Sequence, residues 1–412
     1  MAQSWGGKAR GWLDGRPQVP YTFANMCFSL SYALFASVAN AFMLQQGLTM
    51  AQYGAWWGVM LATLTLLNFP TGALADRYGR VRLYALGMVV TGVARLVLAG
   101  SSTFPQFLLA AVLCGVGESQ VSGSLIAWLA DRLNAAGRGR ELPRVFGLAV
   151  FLADAVAAAG GLIEGAACYN APRAALVASA VIAFLAAALV PLLARDNRGA
   201  ATTGWTELGL SSLRFFARSP VLFAVTATQI AVWLAYGAFN LVWQPQGVQL
   251  GIVTGALGYT YAIFRVSDGV GNYLAGRTEA RVGWRNLLWG LAVTCAAGLW
   301  LIGHAATLPT YWAGVALFGF SYGGFTPVMV KLAQSVFPGA IRASMTSLLN
   351  TIAALVTAGS QSLIGAGMGL YGVGFAGTLG LPLMACLVVA TLALRQRALA
   401  AAARAVDEDR PA

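Results

Sequence analysis

Gly72-Ala-Leu-Ala-Asp76-Arg77-Tyr-Gly79-Arg80-Val-Arg82 is a short charged stretch set between two long apolar runs. Flanked in that way, its charges belong at a membrane surface, on a loop of a few residues. The residue types suit that place. Asp76 can cap a neighbouring helix N-terminus, where free N–H groups and the helix dipole favour negative charge. Arg77, Arg80 and Arg82 can pair with carboxylates or lipid phosphates. Gly72 and Gly79 permit a close helix contact and a tight turn.

Composition outward from this loop agrees. The 412 residues are 58% hydrophobic and 10% charged, with a mean hydropathy of +0.70, which excludes a soluble domain of ordinary make-up. At ~20 residues per span and short connections, the length holds about a dozen spans. Twelve apolar segments are read at 20–44, 50–74, 82–100, 105–130, 144–167, 173–194, 220–244, 250–275, 286–303, 309–331, 341–367 and 371–394. Alternate loops and both ends hold 23 of the 26 Lys and Arg residues, the exceptions being Arg95, Arg173 and Arg265, so both termini are expected in the cytoplasm. The net charge of +12 is thereby assigned to topology and lipid headgroups rather than nucleic acid. Five scattered cysteines and the single His304 have no metal-ligand spacing, so no metal and no cofactor are expected.

The Gly-x-x-x-Asp-Arg-x-Gly-Arg-x-Arg pattern resembles the loop between helices 2 and 3 of the major facilitator superfamily, matching at every defining position. That resemblance implies an all-α membrane protein of 12 transmembrane helices in two pseudo-symmetric six-helix bundles. The expected divisions are a lead at 1–19, a first bundle at 20–194, a linker at 195–219, a second bundle at 220–394 and a tail at 395–412. An internal repeat supports the duplication: Leu74-Ala-Asp-Arg77 is echoed by Leu274-Ala-Gly-Arg277, Gly79 by Gly283 and Gly115 by Gly319. Gly276 replaces Asp76 in the second copy, and weaker gating contacts are expected there. The resemblance makes Gly72, Asp76, Arg77, Gly79, Arg80 and Asp131 gating residues, with Asp131 paired to Arg80 or Arg77 and Asp76 capping segment eleven near Ala340–Ser344. Segment four, from Glu118-Ser-Gln-Val-Ser-Gly-Ser to Trp128-Leu-Ala-Asp131, resembles several bacterial members. Gly147, Gly160, Gly161 and Gly165 resemble the spacing of the drug/proton antiporter motif, departing from it at Val156, Gly161 and Glu164. In the linker, Trp205, Leu208, Leu213 and Phe216 fit either one side of an interfacial helix or a plain connection.

Glu118 lies near the centre of segment four, where a carboxylate must be paired, hydrated or protonated. Gly115, Ser119 and Gly123 beside it form a small-residue stripe that admits a close neighbour. Asp154 is equally central in segment five, while Glu164 is placed near the outer end, within reach of Arg173. Arg265 and Asp268, three apart on segment eight, can neutralise each other or yield one member to a solute or proton. Arg95 is expected to snorkel to headgroups. By resemblance segments 1, 4, 7 and 10 line the cavity, to which Asn25, Tyr32, Gln229, Trp233, Tyr236, Asn240, Tyr322, Thr326 and, from segment eleven, Asn350 and Gln361 offer amides and aromatics. Trp56, Trp243 and Trp312 are expected at the membrane interface.

These residues point to a secondary active transporter moving a small amphipathic or weakly cationic organic solute by alternating access, driven by the proton gradient in the direction of efflux. The alternative is a proton-coupled symporter importing a polar nutrient. A non-transporting receptor of the same fold would not need an intact gating loop together with buried acids. No nucleotide-binding loop or nucleophile–base arrangement marks an enzyme. The expected partners are the solute, protons and membrane lipid, the expected state a monomer, and the expected location the bacterial inner membrane.

Overall fold

The computed structural model describes residues 13–198, 220–336 and 342–394. The linker helix around Trp205, the tail and the cap of Ala340–Ser344 lie wholly or partly outside the described residues. Within them all regular structure is helical. The α-helices are α1 (Gln18–Ala36), α2 (Ala39–Gln45), α3 (Met50–Tyr78), α4 (Arg80–Gly100), α5 (Phe104–Val121), α6 (Ser124–Ala135), α7 (Leu142–Ala167), α8 (Pro172–Leu193), α9 (Pro220–Gln249), α10 (Leu257–Val282), α11 (Trp284–Gly303), α12 (Leu308–Val336), α13 (Arg342–Tyr371), α14 (Gly374–Thr378) and α15 (Gly380–Ala393). Among the described residues ten spans are long and apolar enough to cross a membrane, and α3 makes eleven once its 47° bend at Pro70 is allowed. A proline there removes one backbone hydrogen bond and crowds the preceding turn. The remaining long helix, α10, carries Arg265, Asp268, Arg277, Glu279 and Arg281, which lower its hydropathy without shortening it.

The chain separates into two compact units. Unit 1 gathers α1, α2, α3 from Val59 onward, α4 to α8, and Ile252–Arg265; unit 2 gathers Thr49–Gly58, α9, and the described chain from Val266 onward. Each unit is packed with small residues, because lipid gives helices no hydrophobic reason to associate and close backbone contact must serve instead. In unit 1 a Cβ on Gly117 of α5 would lie 3.0 Å from the Gly87 carbonyl oxygen of α4. In unit 2 one on Gly314 of α12 would lie 2.9 Å from that of Gly298 on α11. Polar side chains add to this: Ser31 and Ser179 donate to each other's carbonyl oxygens across α1 and α8 at 2.9 and 2.6 Å. Outward-facing Phe151, Phe223, Val293 and Leu363 are each more than half exposed, which suits acyl chains as solvent.

The repeat read from the sequence has a conformational counterpart. Gly79 between α3 and α4 has φ +112°, and Gly283 between α10 and α11 has φ +80°, a region closed to most side chains. Segment four departs from the single helix expected. Gly123, at φ +76°, breaks it one turn beyond Glu118, and Ser122 is extended.

Candidate functional site

The charged loop organises one end of unit 1. Arg80 is buried and donates to Asp76 Oδ1 from Nε at 3.1 Å and from a terminal nitrogen at 3.0 Å, and to Asp131 Oδ2 at 2.6 Å. One planar guanidinium thus ties the end of α3 to the end of α6. Arg77 is exposed, its guanidinium 5.3 Å from the Tyr78 ring. Asp196, beyond α8, accepts the backbone N–H of Val81 at 2.9 Å and occupies the free N-terminus of α4. Gly79 is required beside it, since a Cβ there would overlap the Asp196 carboxylate. Asp14 joins Arg132 and Arg195 at 2.9 and 3.0 Å.

Deeper in unit 1, Glu118 is 7% exposed and lines a cavity of about 430 Å³ with Tyr21, Asn25, Phe28, Tyr84 and Phe146. Its partner is Arg95 of α4, which has no exposed surface, donates to Oε1 at 2.9 Å and lies 3.4 Å from the Phe35 ring centroid. Asn25 donates to the Tyr21 carbonyl oxygen at 2.9 Å, and Tyr32 packs edge-on to Phe35. The second ionic contact of the interior joins α7 to α10, where Arg265 donates to Asp154 Oδ1. Both side chains keep about a fifth of their surface exposed, at 20% and 22%.

Unit 2 has its own cavity, of about 280 Å³, lined by Gln229, Trp233, Tyr322, Thr326 and Asn350. Gln229 donates to Asn350 Oδ1 at 3.4 Å. Tyr236 stacks on Tyr322 at 4.5 Å and Phe239 on Phe318 at 4.2 Å, so α9 and α12 meet through an aromatic ladder. Asn240 lends its carbonyl oxygen to the Tyr53 hydroxyl at 2.7 Å. Asp268 is packed backbone to backbone against Gly323 of α12.

A family model described as Major Facilitator Superfamily matches residues 21–361. The chain belongs to that superfamily. It is 26% identical over 385 residues to a probable 4-methylmuconolactone transporter of Cupriavidus pinatubonensis (strain JMP 134 / LMG 1197), covering 89% of this chain and 87% of the relative. It is 30% identical over 141 residues to the methylenomycin A resistance protein of Bacillus subtilis (strain 168), covering 33% and 29% of the two chains. Among solved structures, the nucleoside transporter NupG superposes with a TM-score of 0.75 at 14% identity, over 92% of this chain and 98% of that one. A bacterial homologue of the lysosomal transporter Spinster gives 0.65 at 17% identity, over 98% and 99%. This major facilitator protein is therefore a multi-pass membrane protein and a secondary transporter, not an enzyme.

Four readings of the sequence are corrected by the geometry. Arg95 does not snorkel; its guanidinium is enclosed beside the Glu118 carboxylate and over the Phe35 ring, partners that offset its desolvation. Glu164 does not reach Arg173, which donates to Gln46 at 3.2 Å while Glu164 is 1% exposed. Trp56 and Trp243 are buried rather than at an interface, at 0% and 3% exposure. Gly72 and Gly123 have no described atom within 4 Å of an added Cβ, whereas Gly115 would meet the Met60 carbonyl oxygen at 2.7 Å, so of these three Gly115 alone makes the close contact expected. The partner of Arg265 that spacing on one helix did not offer is Asp154.

Sequence reasoning also missed the second loop. Lys331 donates to both oxygens of Glu279 at 2.7 and 2.6 Å. Lys331 stands 200 positions after Asp131, but Glu279 lies on α10 four residues before Gly283, whereas Arg80 follows Gly79 on α4, so this loop end is tied by a pair of a different pattern. The signal was present in Glu279, a lone acid among the arginines of that loop, three positions on from Gly276, which replaces Asp76.

Proposed function

We propose that this major facilitator protein exports small amphipathic organic solutes in exchange for protons, as a monomer in a bacterial inner membrane with both chain ends in the cytoplasm. The observation that carries the reading is Glu118 on the wall of a cavity lined by Asn25 and aromatic rings, with its partner Arg95 enclosed behind it. A proton added to Glu118 weakens its hold on Arg95, and a solute bound there meets a different wall before and after. A gradient can drive alternating access only through such a difference between states. Because Arg95 already neutralises the acid, amphipathic solutes fit this cavity better than strong cations. The methylenomycin A resistance relative supports outward movement of a small molecule, and the 4-methylmuconolactone relative supports an organic one. Asp131, Arg80 and Asp76 act in this reading as the cytoplasmic latch.

The test is a counterflow screen in proteoliposomes with an imposed pH gradient. Exchange for protons predicts solute uptake into vesicles that are acidic inside. Glu118→Gln is expected to abolish gradient-driven accumulation while sparing solute exchange; unchanged accumulation removes Glu118 from the mechanism. A second reading, proton-coupled uptake of a polar nutrient, is favoured by the Arg265–Asp154 pair, whose half-buried guanidinium can take a solute carboxylate in place of Asp154. It predicts accumulation under the opposite gradient.

A further inference from the structure

Close backbone seams recur in the two units. In unit 1 the start of α10 rests on the end of α7 away from the Asp76–Arg80 loop. A Cβ on Gly258 would overlap the Gly161 carbonyl oxygen and the Glu164 carboxylate, and one on Gly255 would overlap the Cys168 carbonyl oxygen. In unit 2 the start of α3 rests on α13 in the same manner. A Cβ on Gly58 would lie 2.7 Å from the Ala358 carbonyl oxygen and 3.7 Å from the Gln361 Cβ, and one on Gly54 would overlap the Gln361 backbone. Gly58 and Gly258 stand 200 residues apart, the separation of Leu74 and Leu274. Each faces a small residue and, three positions later, a longer polar one: Gly161 and Glu164 in unit 1, Ala358 and Gln361 in unit 2. Glu164 and Gln361 therefore hold equivalent stations, one with an acid and the other with the amide of the same shape.

Both stations are sealed. Glu164 is 1% and Gln361 2% exposed. Among the described residues, neither carboxyl oxygen of Glu164 and not the amide nitrogen of Gln361 meets a partner at hydrogen-bond geometry. The neighbouring Ser37 hydroxyl donates to its own chain, to the Leu34 carbonyl oxygen at 3.3 Å. Among the described residues no opposite charge pairs with Glu164. From α10 it faces Tyr259, whose ring packs on Gly165, while Arg265 further along is held by Asp154. On its own chain the nearest titratable group is Cys168, beyond which Arg173 is bound to Gln46. Helix α1, packed along α7, contains no Asp, Glu, Lys or Arg, its titratable groups being Tyr21, Cys27 and Tyr32.

An ionised carboxylate in such a place, with only the Ser37 hydroxyl within reach and no counter-charge, is strongly disfavoured, whereas the neutral acid is about as polar as an amide. We infer that Glu164 is a proton-binding group that controls the α7–α10 seam: with its proton the seam closes as the Gln361 seam does, and when the proton passes to water the start of α10 leaves α7 so that the carboxylate can be hydrated. The α3–α13 seam, closed on an amide, has no such dependence. One unit thus carries a proton-sensitive seam and the other a constitutive one.

Hydrogen exchange of the whole protein in lipid nanodiscs, read by mass spectrometry from about pH 5 to about pH 9 and corrected for the intrinsic rate, tests this. Residues 252–262 of the wild type should lose protection about tenfold or more toward high pH, while residues 49–58 stay flat. Glu164→Gln should flatten 252–262, and Gln361→Glu should transfer the dependence to 49–58. Corrected exchange of 252–262 that is flat in the wild type overturns the inference, and this needs no variant to fold. So does a Glu164→Gln protein that keeps the wild-type dependence, or a folded Gln361→Glu protein in which 49–58 stays flat. The measurement uses neither solute nor gradient, so its failure leaves the Glu118 reading intact, and failure of that reading leaves the seam intact.

Discussion

Arg95→Met is the substitution that most directly probes what holds the unit 1 cavity in shape. The guanidinium is fully enclosed, 2.9 Å from Glu118 and 3.4 Å from the Phe35 centroid. Removing one partner of a buried ion pair strands the other, at a cost of ~3–5 kcal/mol. Glu118→Gln strands the cation instead and is expected to cost a similar amount. The double variant strands neither charge. It loses chiefly the cation–π contact and the hydrogen bonds of Arg95 to Glu118 and Cys114, about 2–3 kcal/mol. The double variant should therefore be milder than either single change, with a coupling energy of about 2 kcal/mol or more. Reversible unfolding of the four proteins in mixed micelles at one pH, followed by tryptophan fluorescence, measures the cycle. A double variant that loses the sum of the two single losses would refute the reasoning.

The ionic contacts at the loop ends of the two units should differ in weight. Asp196→Ala uncaps α4 and is expected to lower unfolding free energy by ~0.5–2 kcal/mol, measured in the same micelles, with Asp196→Asn losing less. Lys331→Ala removes a pair whose lysine is 64% exposed, so its effect should stay within ~1 kcal/mol and shrink further in high salt; a larger loss would show that the Lys331–Glu279 pair is more than a surface contact.

The fold was legible because hydropathy and arginine placement are direct consequences of a lipid solvent, and both survive without any knowledge of packing. Gly79 was read correctly as a turn, since a positive φ is a property of the local chain. Individual partners were harder. Arg95 lies about 7 Å along α4 from its connection to α5 and Glu118 about 21 Å along α5, so spacing alone set them at different depths. The long arginine side chain reaches inward across that gap, and only packing against Phe35 shows why. Asp154 and Arg265 are 111 residues apart, and nothing in either helix alone predicts their meeting. Asp196 was hidden for the opposite reason: an acid just past a helix looks like any solvated residue until the N-terminus it occupies is in view.

Gly123 has a consequence of its own. Because α5 stops at that left-handed residue, span four is a jointed rod rather than a single shaft. Torque applied where Asp131 grips Arg80 is spent at the joint, and the address of the acid one turn below is set by its own neighbours. The latch and the acid thus sit on two short levers of one span, joined at a glycine.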